Sequence, residues 1–408
     1  MLRPREQFDS EVIVLPPLVS VVMSSYNHKA FVAETIWSVL NQTFEDFEFI
    51  ISDDHSEDGT DEVIRGFSDK RITALFQTEN TFGLNSFLYE MSVGKYIAII
   101  HSDDLWLPKK LEKQVAYLES HPDCAACFTH AALIDEHGNA ICKSDMKENL
   151  FCQPNRTQAE WLRYFFTKGN CLCHPSILIR RDILIGLGRN RALRQLQDFS
   201  KWVLLLKHHP IHILLDELTL HRRHMVTHAN TSATVPENSL RTLAEMYCIS
   251  ETFFDGLSDE LFVEAFQSLF RNSNAKTPEE LLCEKFFLLL DHWVFGGNQR
   301  KLSAAAFFYR NCGADKEVLA TLREQYGYTL QDFYSLTGSI QLNWLSDVPP
   351  YTEARYLEAV SQAEKLQSKL AQAEKAYSEI SNSTSWKITK PFRMLMDCLR
   401  RHGGKSKR

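Results

Sequence analysis

Apolar positions in the first half of the chain come in short runs, each stopped by a polar cluster. Leu18 to Met23 (LVSVVM) ends at Ser24-Ser25-Tyr26-Asn27 and predicts a buried strand running into a loop. Phe31, Thr35, Ile36, Val39 and Leu40 then lie on one face of a predicted helix. Phe47 to Ser52 (FEFIIS) predicts a second strand, stopped by Asp53-Asp54-His55-Ser56 and by Asp58-Gly59-Thr60 before another helical stretch. Tyr96 to Ile100 (YIAII) predicts a third, which runs straight into His101-Ser102-Asp103-Asp104. This β-α-β-α rhythm is that of a parallel sheet in an α/β protein. Ligands of open α/β sheets sit beyond the carboxyl ends of the strands, so three polar or acidic loops reach one edge.

After Pro108, a helix through Leu111, Val115 and Leu118 leads to a predicted strand at Ala125 to Thr129 and a turn at His137-Gly138-Asn139. Trp161 to Phe166 comes next, then a strand at Ser176 to Ile179. A helix over Gln197 to Lys207 carries Phe199, Trp202, Val203 and Leu206 on one side, and Ile211 to Leu215 predicts one more strand. The polar stretch His221 to Thr234 reads as the closing loop. From Pro236 to about Asp347 the pattern is helical, rich in Leu and Phe, with no evident chemistry. From Tyr356 to Ile380 the apolar steps alternate between three and four residues, matching either a short coiled coil or a single packed helix.

Length and composition fit more than one module: 408 residues, 44% hydrophobic and 24% charged, predict a soluble globular chain. No apolar run approaches the roughly 20 residues that span a bilayer. The N-terminal MLRPREQFDSEVIVLPP lacks the pattern of a signal peptide, which predicts a cytoplasmic chain. The ten cysteines are expected to be free thiols, with Cys124, Cys127, Cys171 and Cys173 in the core, since no second pair completes a zinc spacing. The net charge of -7 is uneven: Lys387 to Arg408 holds eight Lys or Arg against Asp397, leaving -14 on the rest. An acidic body argues against nucleic acid as a partner. The tail instead mixes Trp386, Phe392 and Leu395 with cations, so it reads either as a stretch for an anionic membrane surface or as a solvated basic tail.

Three blocks in order, Val19 to Asn27 (VSVVMSSYN), Ser38 to Thr43 (SVLNQT) and Ser52 to Ser56 (SDDHS), resemble the opening of the bacterial family 2 glycosyltransferases. The likeness continues through Asn80, Gly83, Asn85, Gly94 to Ala98, Ser102 to Trp106, Ser176 to Arg181 and Asp198 to Val203, and spans roughly residues 17 to 231. It implies a GT-A fold, a Rossmann-like mixed sheet with a nucleotide half and an acceptor half. The resulting division is an N-terminal extension (1–16), a GT-A domain (17–235), an all-α domain (236–350), a coiled coil (351–382) and a basic amphipathic tail (383–408). The tail's Ser-Trp-basic-x-Thr-basic-Pro run resembles those of enzymes that build surface polysaccharides such as O-antigens and capsules.

Sugar transfer from a nucleoside diphosphate leaves charge on the departing phosphate, which a divalent metal neutralises, and hard cations take carboxylate oxygens. The resemblance implies Mn2+ or Mg2+ at Asp103 and Asp104, with Asp104 the principal ligand and Asp103 shared with the ribose; a helix N-terminal acid pair is the plain alternative. It implies the nucleobase near Ser24, Tyr26 and Asp54, with Asp53 a neighbour of the nucleotide; Asp53 and Asp54 as ordinary turn formers with Ser56 and Asp58-Gly59 are the alternative. His224 is a further candidate for the metal or a phosphate, and Arg222 and Arg223 are candidates for the phosphates, with a solvated cationic loop as the alternative. Inverting transfer needs a general base, and Asp198 matches the family's base position, although Gln197 stands where the family usually has Glu and His101 where many members have an acid. His174 faces either the acceptor or the core.

The implied activity is transfer from a nucleotide diphosphate sugar, expected to be a UDP-sugar, to a growing lipid-linked glycan at the inner face of the membrane, with copies associating through the coiled coil. A nucleotidyltransferase would favour a Gly-rich loop followed by Lys, and none is present. A catalytically idle scaffold in a polysaccharide assembly complex is the other alternative.

Overall fold

The computed structural model describes residues 16–80, 85–141, 149–188, 192–224 and 236–340. The coiled coil and basic tail expected after residue 350, and the extension before Pro16, lie outside the described residues, as do Gly83 and the loop after His224. The described residues up to 224 and from 240 onward belong to one compact unit; a second, 234–239 with 348–408, lies almost wholly outside them.

The predicted rhythm is present at its start. β1 (Val19–Ser25), α1 (Val32–Leu40), β2 (Phe47–Asp53), α2 (Thr60–Arg65), β3 (Ile72–Phe76), α3 (Asn85–Met91) and β4 (Tyr96–His101) succeed one another in order. β1, β2 and β4 are buried on nearly every residue because helices cover both faces, so they read as unbroken apolar runs. α1 buries Thr35, Ile36, Val39 and Leu40, as its spacing predicts, together with Val32. Gly94, just before β4, packs so tightly beneath β1 that a Cβ would stand 2.6 Å from the Ser20 nitrogen.

Next come β5 (Leu105–Trp106), α4 (Lys110–Ser120), β6 (Ala126–Ile134), α5 (Gln158–Lys168), β7 (Leu178–Arg180), α6 (Arg181–Gly186), α7 (Gln197–His208) and β8 (Ile211–Arg222). The eight strands form one mixed sheet in the order β3-β2-β1-β4-β7-β6-β8-β5. β3, β2, β1 and β4 are parallel; β7 runs antiparallel between β4 and β6, and β5 runs antiparallel to β8. β6 and β8 therefore point the same way as β4, and the carboxyl ends of β1, β2, β4 and β8 share one edge.

Two expectations about the later part of the sheet are corrected. Ser176 belongs to a 3-10 turn (His174–Ser176), and the strand is the short β7 just after it. The strand expected at Ile211 to Leu215 runs on to Arg222. Its register against β6 shifts around His130, where the exposed Leu215, Asp216 and Glu217 interrupt the buried pattern.

The sheet separates two apolar clusters. One face packs α1, α2 and α4 through Ile36, Val39, Ile64, Leu111 and Leu118. The other packs α5 and α7, and its cluster runs on without a break into α8 (Pro236–Thr252), α9 (Asp259–Phe266), α10 (Pro278–His292), α11 (Asn298–Asn311) and α12 (Lys316–Tyr326), with α13 (Leu330–Gly338) against it. α5, α10 and α13 each start at a threonine capping box, at Thr157, Thr277 and Thr329. The described cysteines are free, and Cys124, Cys127, Cys171 and Cys173 are buried in the core. No described helix is long and apolar enough to cross a membrane.

Candidate active site

The loops after β1 and β2 are stitched together. The Asp54 backbone N–H donates to the Ser25 carbonyl at 2.8 Å, the Asn27 N–H to Ser56 Oγ at 2.9 Å, and the Glu57 N–H to Asn27 Oδ1 at 2.9 Å. Asn27 (φ 52°) and His55 (φ 62°) take left-handed conformations that these sharp exits require. Ser24 is partly buried at the end of β1, the Tyr26 side chain is exposed, and Asp54 is buried behind them. Asp53 closes the turn at the end of β2: its carboxylate accepts from the Ser56 N–H at 2.9 Å and Ser56 Oγ at 2.6 Å.

The acid pair after β4 divides into unlike halves. β5 pairs with β8 at Leu105–Leu220, which carries Asp104 against His221 and Arg222. Asp104 is fully buried; Oδ1 accepts from the Arg222 N–H at 2.7 Å and stands 3.0 Å from His221 Nδ1, and Oδ2 stands 3.3 Å from His101 Nδ1. Burial alone would raise its pKa, but the charges and hydrogen bonds of His221 and His101 outweigh it and hold the carboxyl well below the ordinary range. Asp103 Oδ2 lies 2.8 Å from His224 Nε2. The His28 ring stacks on His224 at 6.0 Å, and its Nδ1 is 2.7 Å from Ser102 Oγ.

Two donor sets of metal-ligand geometry share Asp103, namely His28, Asp103 and His224, and His101, Asp103 and Asp104, each with ligand atoms within 4.8 Å of one another. Carboxylate with imidazole nitrogen suits a divalent first-row ion such as Mn2+ better than the all-oxygen preference of Mg2+. His28 was not singled out in the sequence; its signal is its place two residues past Tyr26, on a loop delivered to the ligand edge.

Arg222 departs from its expected role at the phosphates. Its buried guanidinium donates to the carbonyls of Asp103 (2.8 Å), Asp135 (3.1 Å) and Glu136 (3.2 Å), and pairs with Glu34 at 3.0 Å. It is committed to protein acceptors because β8 extends far enough to turn residue 222 inward. Arg223, next in the chain, is partly buried and makes no side-chain hydrogen bond or ion pair with the described residues.

Asp198 lies in the first turn of α7. Its Oδ2 accepts from Asn170 Nδ2 at 2.9 Å and its Oδ1 from the Phe199 N–H at 2.7 Å. Burial raises its pKa against the opposing pull of these hydrogen bonds and of His101, and a raised carboxylate suits proton acceptance near neutrality. His101 Nε2 meets His174 Nδ1 at 3.1 Å, and His174 in turn packs on Trp202 of α7, so an imidazole pair joins the acid cage to that helix. His174 is held well below its ordinary pKa, mainly by burial and then by His101.

A mixed sheet with acidic and imidazole groups gathered beyond its strand ends is the arrangement of GT-A glycosyltransferases. The sequence profile of glycosyl transferase family 2 matches residues 20–188. The chain is 33% identical over 196 residues to the putative teichuronic acid biosynthesis glycosyltransferase TuaG of Bacillus subtilis, covering 47% of this chain and 73% of that protein. It is 36% identical over 103 residues to WfgD of Escherichia coli, named as a UDP-Glc:alpha-D-GlcNAc-diphosphoundecaprenol beta-1,3-glucosyltransferase, covering 25% of this chain and 41% of that one. It spans 64% of the length of an uncharacterized glycosyltransferase of Methanocaldococcus jannaschii. A crystal structure of S. aureus TarS residues 1–349 with UDP-GlcNAc shares the fold at a TM-score of 0.52 and 16% identity, over 80% of this chain and 91% of that one. This chain belongs to glycosyl transferase family 2.

Proposed function

We propose that the chain is an inverting, metal-dependent transferase that moves one sugar from a UDP-sugar, or a similar nucleotide diphosphate sugar, to a growing lipid-linked glycan. The observation that carries this reading is His101, whose imidazole stands 3.3 Å from Asp104 Oδ2 and feels the charges of Asp104, Asp103 and Asp198 together, so that the acid pair and the Asp198 carboxylate lie around one residue. Family membership and the UDP-Glc and diphosphoundecaprenol in the name of WfgD support donor and acceptor class.

Asp103, His224 and His28 are assigned to the divalent cation, with Asp104 as the buried brace that holds the loop. The ion, when bound, supplies positive charge to the departing diphosphate. Tyr26, Ser24 and Asp54 receive the nucleobase, Asp53 fixes their loop, and Arg223 rather than Arg222 reaches the phosphates. Asp198 takes the proton from the acceptor hydroxyl, and Asn170 sets the direction of its free lone pair. Residues 17–235 act as the transferase domain and 236–350 as the helical one. Residues 351–382 associate copies, and 383–408 meet the anionic inner face of the membrane where a lipid-linked acceptor lies.

Release of UDP from a panel of nucleotide sugars, with acceptor extract and Mn2+ added, tests the reading. Acceptor-dependent release is expected from one donor, and its absence from every donor would overturn the assignment.

A further inference from the structure

The acceptor side holds a cation that proton removal leaves without a task. Lys201 lies three residues after Asp198 on α7, and residues so spaced share a helix face with Cβ atoms about 5–6 Å apart. The side chain is partly buried, with Nζ 4.9 Å from the centre of the buried Tyr89 ring. It makes no hydrogen bond and no ion pair with the described residues. Its charge nonetheless reaches both Asp198 and His174: burial lowers the Lys201 pKa, Asp198 partly restores it, and Lys201 adds to the forces that keep His174 neutral.

A half-buried ammonium that no carboxylate touches directly is costly, and the Asp198 charge offsets that cost only in part. The cost falls if an anion arrives with the ligand.

We infer that Lys201 forms an anion subsite for the acceptor, so that the acceptor sugar carries a phosphate or diphosphate group one ring away from the hydroxyl that meets Asp198. The inference rests on the transferase reading and deepens it: Asp198 faces the reacting hydroxyl, and Lys201, one helical step on, faces the far end of the same sugar. Tyr89 supplies the apolar floor that keeps water from screening the pair.

The test is calorimetric binding to the full chain with saturating UDP and Mn2+, using alkyl-diphosphate-linked glucose, galactose, N-acetylglucosamine and N-acetylgalactosamine and the four corresponding neutral alkyl glycosides. Wild type is expected to bind one diphosphate compound more tightly than its neutral counterpart. Lys201→Met should weaken that compound by about tenfold or more, Lys201→Arg should restore most of it, and neither should move the neutral glycoside. Equal weakening of both compounds, unchanged affinity in Lys201→Met, or no wild-type binding of any diphosphate compound would each overturn the subsite. An alkyl glucuronide whose binding depends on Lys201 while the diphosphates do not bind would also refute it. Failure of UDP release from every donor is a separate outcome, and it counts against the transferase reading instead.

Discussion

His224 Nε2 stands 2.8 Å from Asp103 Oδ2, whereas both oxygens of the adjacent Asp104 are occupied by His221, His101 and the Arg222 N–H. The two acids therefore differ in what they can offer a ligand. Asp103→Asn and His224→Ala are expected to remove most of the gain in UDP affinity that Mn2+ provides, about tenfold or more by calorimetry. Mn2+ should give a larger gain than Mg2+ because nitrogen donors are present. Asp104→Asn should instead lower the urea midpoint, since it leaves the histidine cage without its counter-charge.

Asp198→Asn is expected to reduce kcat by about 10²–10⁴ while the far-UV spectrum and unfolding midpoint stay near wild type. A base must be deprotonated, so activity falls as pH drops through the raised pKa of Asp198. The Asn170 hydrogen bond favours the charged form, so Asn170→Ala should move this acid limb to higher pH. A limb that shifts downward or stays put would remove Asp198 from the role.

Arg222 ties β8 to the Asp103 carbonyl, to the turn after β6 and to Glu34 on α1. Arg222→Ala is expected to cost about 3 kcal/mol, because buried acceptors lose their donor. Glu34 is 61% exposed at its side chain, so Glu34→Ala should cost under about 1 kcal/mol. Urea unfolding of the two variants checks the contrast.

Lys110 is buried against the Trp106 ring at 3.8 Å, with Nζ 2.9 Å from Gln114 Oε1, and burial pushes its pKa down to about 7. Between that value and its ordinary range the unfolded chain binds more protons than the folded one, so stability rises with pH there. The slope contributed by this group approaches about 1.4 kcal/mol per pH unit. Lys110→Met should flatten the dependence of the urea midpoint between pH 7 and 9, and should be neutral or stabilising at pH 7 and below.

Much of this site was legible in the sequence because its residues end apolar runs. Strands β1, β2 and β4 are covered on both faces, so Val19 to Met23, Phe47 to Ser52 and Tyr96 to Ile100 stand out. Parallel strands of one sheet deliver the polar residues at their carboxyl ends to a single edge. β3 and β5 were not foreseen. β3 is only half-buried, and β5 is two residues long and exists through its pairing with β8.

The amino-acid sequence by itself determined the family, the class of fold and the edge at which Asp53, Asp54, Asp103 and Asp104 gather, since local periodicity and turn chemistry act over a few residues. Only the tertiary structure decided which partners each of these groups meets. The shift of register beside His130 carries β8 on to Arg222, turns that arginine inward and fills both oxygens of Asp104. The same fold sets His28 beside His224 and leaves Lys201, three residues past Asp198, over the Tyr89 ring with no hydrogen bond or ion pair among the described residues. Those distinctions depend on contacts between residues up to 196 positions apart in sequence, His28 and His224, which no local pattern encodes.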